Sequence, residues 1–159
     1  MAITTDILHS YRHPRTVIRR KLAQGVREDR ALAMLMAACG LNFVSQWPAL
    51  ARAAHFDPSR PLDARIGGAL LATVFLLPLI AYAVAGLSHL AARALGGQGS
   101  HYGARLALFW SLLAIVPVLL LHGLVGGLIG SGPARTAVGL GVLAAFLYLW
   151  GNALIEAER

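Results

Sequence analysis

Charged and apolar residues are segregated along this chain. Four stretches, 31–51, 66–92, 106–130 and 136–155, contain no Asp, Glu, Lys or Arg. Each is about as long as the 20 or so apolar residues that a helix needs to cross a bilayer. The pattern predicts an all-α membrane protein with four transmembrane helices. Pro78 and Pro117 lie near the middle of the second and third runs. There a missing N–H and a bulky ring interrupt the helical hydrogen-bond ladder, so both spans are expected to kink. The turn Gly96-Gly97-Gln98-Gly99-Ser100 joins these two spans into a hairpin. The first run is expected to end at Trp47 and Pro48, since tryptophan favours the headgroup boundary.

Residues 1–30 follow a different pattern. Pro14 suits the first turn of a helix, where its missing N–H costs nothing. From there Val17, Ile18 and Leu22 recur at helical spacing, with Ile7, Leu8 and Tyr11 upstream, while Arg12, Arg19, Arg20 and Arg27 take the other side. This is the pattern of a basic amphipathic helix lying in the headgroup region. Ile18 and Leu22 would enter the boundary, and Arg15, Arg19, Arg20 and Lys21 would meet anionic lipid. The Arg19-Arg20 pair superficially resembles a twin-arginine signal, but Arg27, Glu28, Asp29 and Arg30 intervene before any apolar run. The segment therefore reads as a cytoplasmic arm, not a leader. The domain division is an arm at 1–30, a four-helix domain at 31–155 and a polar tail at 156–159.

Composition sharpens the class. Of 159 residues, 57% are hydrophobic and 13% charged, outside the soluble range. Fourteen bases face seven acids, a balance that elsewhere suggests nucleic acid. Here the bases flank apolar runs, which points to anionic headgroups and topology and to no nucleic-acid partner. An even number of spans puts ten bases on the side of both termini and four on the other. The termini are accordingly expected in the cytoplasm, with the chain in a bacterial inner membrane. Cys39 is the only cysteine, so an intramolecular disulfide and a cysteine-based metal site are both excluded.

Small residues mark the close contacts. Gly123, Gly126, Gly127 and Gly130 form two overlapping four-residue spacings, and Ala137, Gly141 and Ala145 repeat the spacing in the last run. Such strips let backbones approach closely. The economical expectation is that the two strips meet each other, though they also leave a homo-oligomer open. Candidate chemistry is sparse. The six histidines raise a haem site, but His89 and His122, the two within spans, differ in depth by about 20 Å at 1.5 Å per residue. No metal, cofactor or catalytic residue is expected. The runs hold no paired carboxylates, H-E-x-x-H, G-x-S-x-G or phosphate-binding loop. Intramembrane charge of the kind that ion-coupled carriers use is missing as well.

Two segments resemble the bacterial branch of the Yip family of small multi-pass membrane proteins. One is His13-Pro14-Arg15-Thr16-Val17-Ile18-Arg19-Arg20, similar to the family's basic leading helix. The other is Leu95-Gly96-Gly97-Gln98-Gly99-Ser100 followed by Arg105 and Pro117, similar to a G-G-x-G-S turn before a proline-containing helix. Eukaryotic members are associated with Rab-type GTPases. Their D-L-Y-G-P segment and soluble N-terminal region are not found here, and four strong runs stand where five spans are usual, so GTPase binding is not carried over. The resemblance implies a non-enzymatic membrane scaffold or interaction protein that touches lipids and a membrane-protein partner. The readings beside it are an accessory subunit of a respiratory or photosynthetic complex and, third, a carrier for a small neutral solute.

Overall fold

A computed structural model describes residues 2–159. Among them every regular element is helical. The arm forms two helices, α1 (Ile3–Arg12) and α2 (Pro14–Leu22), which meet at His13, whose backbone leaves the helical conformation. Pro14 fixes the break and occupies the first turn of α2, as expected. Next comes α3 (Glu28–Phe56), with Glu28 and Asp29 in its first turn, where carboxylates favour the helix dipole. α3 does not stop at Trp47 and Pro48. It continues through Pro48 for two more turns, and the proline's ring lies against Gly127.

The two expected kinks come out differently. α4 (Leu62–Leu70), a π-helical segment (Leu71–Leu76) and α5 (Leu77–Ala94) form one continuous helix of 33 residues. The π turn lies just ahead of Pro78, where the ring would crowd the carbonyl four residues earlier. Widening the ladder to i→i+5 accommodates Pro78 without a break. At Pro117 the chain does bend. α6 (His101–Ala114) and α7 (Val116–Leu128) diverge by 43°. α8 (Pro133–Ala157) closes the fold.

Two helices, Leu62–Ala94 and Pro133–Ala157, are long and apolar enough to cross a membrane, and the bent α6–α7 pair makes a third if taken as one span. α3, expected as a span over 31–51, is not among them. Asn42, Ser45 and Gln46 interrupt its apolar run.

The core forms around α6. Every residue of α6 except His101, Arg105 and Leu112 is buried. Phe109 and Trp110 lie at its centre, surrounded by Val17 and Ile18 of α2, Leu35 and Cys39 of α3, Ala81 and Ala85 of α5, and Leu149 and Ala153 of α8. Outside this sheath, large apolar side chains face outward from α5 (Leu79, Ile80, Leu87, Leu90), α7 (Leu121, Leu124, Leu128) and α8 (Leu140, Leu143, Leu147).

The glycine strip of α7 does not pack on α8. A Cβ at Gly123 would run into the Ser45 carbonyl, one at Gly127 into Pro48, and one at Gly130 into the Arg52 guanidinium. Its partner is therefore α3. Gly126 lies between Ala49 and Arg135. On α8, Ala137 is exposed and Gly141 has open space where its Cβ would stand, while Ala145 rests half-buried on the core. The strip-to-strip pairing is thus corrected. The Pro117 bend carries α7 toward α3, and α3's serine and alanine leave room for backbone approach.

Candidate functional site

The arm docks on protein. Val17 and Ile18 are 1% and 0% exposed, within the α6 core, and Leu22 packs against it from the side. The expected insertion of Ile18 into the headgroup boundary is therefore overturned, because α6 and α8 already cover the apolar stripe of α2. Two of the arm's bases clamp α2 to the end of α8. Arg15 Nε donates to Asn152 Oδ1 at 2.9 Å, and Arg19 Nε to Glu156 Oε1 at 2.6 Å. α1 is held from the other side. Tyr11 Oη donates to the Ala114 carbonyl at 2.7 Å, at the bend, and Trp110 Nε1 donates to Ser10 Oγ at 2.9 Å. Burial raises the Tyr11 pKa and keeps it a donor.

Arg20 and Lys21 turn inward from α2 toward Asp6 of α1. Each lies 3.2 Å from one carboxylate oxygen. The Lys21 ammonium also sits over the Trp110 ring, 3.8 Å from its centroid, a favourable cation–π placement. Burial lowers the Lys21 pKa, and the Asp6 carboxylate opposes that shift. These groups form one wall of a cavity of about 1010 Å³ between α1, α2 and α3. Arg27 and Arg30 complete its basic side. Ala33, Met34 and Ala37 of α3 and Leu113 of α6 make the apolar side.

A second polar cluster joins the glycine turn to Glu158. Leu95 caps α5, and Gly96 follows at φ +94°, a left-handed conformation that glycine adopts without strain. The Gly97 N–H returns to the Ala92 carbonyl at 2.8 Å, sealing the helix end. Gln98 N–H then donates to the Glu158 carbonyl at 2.8 Å, and a Cβ at Gly99 would overlap Glu158 itself. The Glu158 side chain enters the protein, with Oε1 2.8 Å from His89 Nδ1. His101 lies beside His89, the ring centroids 4.1 Å apart and the rings tilted by 53°. Ser100 Oγ accepts from the Gly103 N–H at 3.0 Å and starts α6. Arg105 of α6 pairs with Glu28 of α3. The tail residues 156 and 158 are thus part of the packed structure.

At the far end Arg52 donates to the Gly127 and Leu128 carbonyls at 3.3 and 3.2 Å, satisfying the open end of α7. His122 lies on α7 near Gly139, remote in sequence and fold from the His89 cluster. Among the described residues, no three of His, Cys, Asp and Glu converge as metal ligands would.

Sequence reasoning singled out the bases of the arm but assigned them to lipid, where the structure pairs them with Asn152, Glu156 and Asp6, and it read Gly97 and Gly99 only as a turn. It missed Asp6, Ser10, Trp110 and Glu158. The one available signal for Glu158 was the Gly-x-Gly spacing, which implies close approach without naming what approaches. Comparison of the chain with family models, curated proteins and solved structures finds no match.

Proposed function

We propose that this chain is a non-enzymatic scaffold or interaction protein of the bacterial inner membrane, of Yip type, which organises or stabilises another membrane component. Four units lie across the bilayer: α3, the Leu62–Ala94 helix, the bent α6–α7 pair and α8. Both termini are cytoplasmic. The likeness in the arm and the glycine turn supports the family, and the base asymmetry supports the orientation. One observation supports the contact role above the others. The Ala137, Gly141 and Ala145 strip of α8 is left largely uncovered by this chain, amid outward-facing Leu140, Leu143 and Leu147. A small-residue strip flanked by leucines is the kind of surface on which another membrane helix packs closely.

Purification in mild detergent tests this reading. A second membrane chain is expected to co-migrate in fixed ratio, and Gly141→Leu is expected to release it while the lone chain keeps its thermal stability. A monomer with no partner, in wild type and variant alike, overturns the contact role. A stoichiometric redox chain moves the reading to an accessory subunit of a respiratory or photosynthetic complex.

A further inference from the structure

We propose that the cavity between α1, α2 and α3 is a binding site for one anionic phospholipid, its phosphate against Arg27, Arg30 and Lys21 and an acyl chain along Ala33, Ala37 and Leu113. The proposal rests on the membrane location argued above, but not on any protein partner.

Charge is the first argument. Arg20, Lys21, Arg27 and Arg30 line the cavity, and Asp6 is the one carboxylate among its lining residues. Asp6 is already shared by Arg20 and Lys21. Arg30 bonds only a neutral group in the structure as described, the Gln24 amide oxygen. Arg27 stands 3.7 Å from Asp29, a pair with both side chains more than half exposed. Such a pair is worth little, so the guanidinium is readily recruited by a better-placed anion. The cavity therefore presents positive charge in excess, and arginine's planar fork suits phosphate oxygens.

The second argument is the direction in which polarity changes. Arg27 and Arg30 stand at the start of α3, and Ala33 and Ala37 follow one and two turns along it. At 1.5 Å per residue, Ala37 lies about 10 Å beyond Arg30. Charge at one level and methyl groups one chain-segment deeper reproduce the profile of a lipid crossing from headgroup to hydrocarbon. Ala33 and Ala37 are exposed into the cavity, and Leu113 supplies its floor from α6. A volume of about 1010 Å³ is at the upper end for small-molecule sites, enough for a headgroup with the first part of its chains. Basic pockets beside membrane helices on the cytoplasmic side are a recurrent way of holding anionic headgroups.

The arm's docking gives this site its shape. Because Val17 and Ile18 are sunk in the core, α2 cannot float in the headgroups. Its inward bases are instead fixed at one side of a defined cleft.

The test uses the full chain in mild detergent, with bound lipid counted by native mass spectrometry. Phosphatidylglycerol is expected to be retained at one per chain. Phosphatidylcholine, with the same chains and no net charge, should bind about 125-fold more weakly, about fivefold for each of the three bases that face the anion. Inorganic phosphate, a headgroup source without chains, should fail to displace it. The double variant Arg27→Gln/Arg30→Gln should lose about 25-fold in affinity, fivefold per base. Arg60→Gln, in the loop at the other end, should bind as wild type does. Ala37→Trp, which fills the apolar side without altering charge, should also release phosphatidylglycerol. Equal retention of the two lipids overturns the proposal, as does displacement by phosphate or an Ala37→Trp variant that binds normally. Carbonate-washed membranes separate this result from the membrane reading. The double variant should stay in the membrane fraction, and its release would implicate location, not the lipid site.

Discussion

α6 and α7 are two halves of one apolar run, and they occupy opposite environments. α6 is sheathed on all sides and keeps only His101, Arg105 and Leu112 from full burial. α7, beyond the 43° bend, buries only Val116, Gly123 and Gly126 and turns Leu121, Leu124 and Leu128 outward. Apolarity does not say which half the protein buries, because lipid and protein interior are equally apolar. The difference lies in shape and in polar partners. α6 carries Phe109, Trp110 and Ser111, which need neighbours and hydrogen bonds, whereas α7 carries a glycine strip that needs one backbone close by. In a membrane, burial is decided by packing shape and hydrogen bonding, with little hydrophobic drive between helices.

The largest expected effect sets the two halves directly against each other. Phe109→Ala should cost about 3–5 kcal/mol, as truncation of a buried aromatic does. Leu121→Ala, on the open face of α7, should stay within about 0.5 kcal/mol. Thermal unfolding in one detergent checks both, and equal losses would mean that α6 is not the core. A smaller effect probes the one contact that α7 does need. Gly123→Ala forces a methyl group onto the Ser45 carbonyl and should cost about 1–3 kcal/mol, while Gly141→Ala should be nearly silent. Reversal of that order would return the strip to α8.

The smallest effect concerns the sheath around Trp110. The Lys21 pKa is lowered in the folded chain, mainly by burial. The native state therefore releases this proton before the unfolded chain does, and stability due to Lys21 rises with pH between the folded value and about 10.4, the ordinary lysine value. Below that window the buried charge is a net cost. Wild type should gain thermal stability relative to Lys21→Gln across this alkaline interval, and a flat difference would place Lys21 in solvent.

Much of the architecture is legible in the pattern of the chain. The helical class, the helix start at Pro14, the bend at Pro117 and the tight turn at Gly97 and Gly99 all follow from local chemistry, since proline and glycine act on their own backbone. The partners were not legible. The stripe of Val17, Ile18 and Leu22 reads identically whether it meets lipid or α6, because an apolar face specifies an apolar neighbour and no more. The glycine strip announced close packing, yet α3 and α8 both offered small residues, and only the direction of the bend selects between them. Pro78 misled for a related reason. A proline demands relief from one hydrogen bond, and a π turn relieves it as well as a kink does. Glu158 was hidden because a short acidic segment is usually solvated.

The docked arm also has a temporal consequence. Arg15 and Arg19 find their partners at Asn152 and Glu156, 137 positions downstream in each case, and Ser10 and Tyr11 bind Trp110 and Ala114 about a hundred positions on. A ribosome makes the arm first and α8 more than a hundred residues later, at about 5–20 residues per second. For several seconds the newly made α1 and α2 have no native seat, and their apolar stripe is exposed. Their seat is built in two steps, the α6 side first and the Asn152 and Glu156 clamp last, so the arm is fully held only as synthesis of α8 finishes.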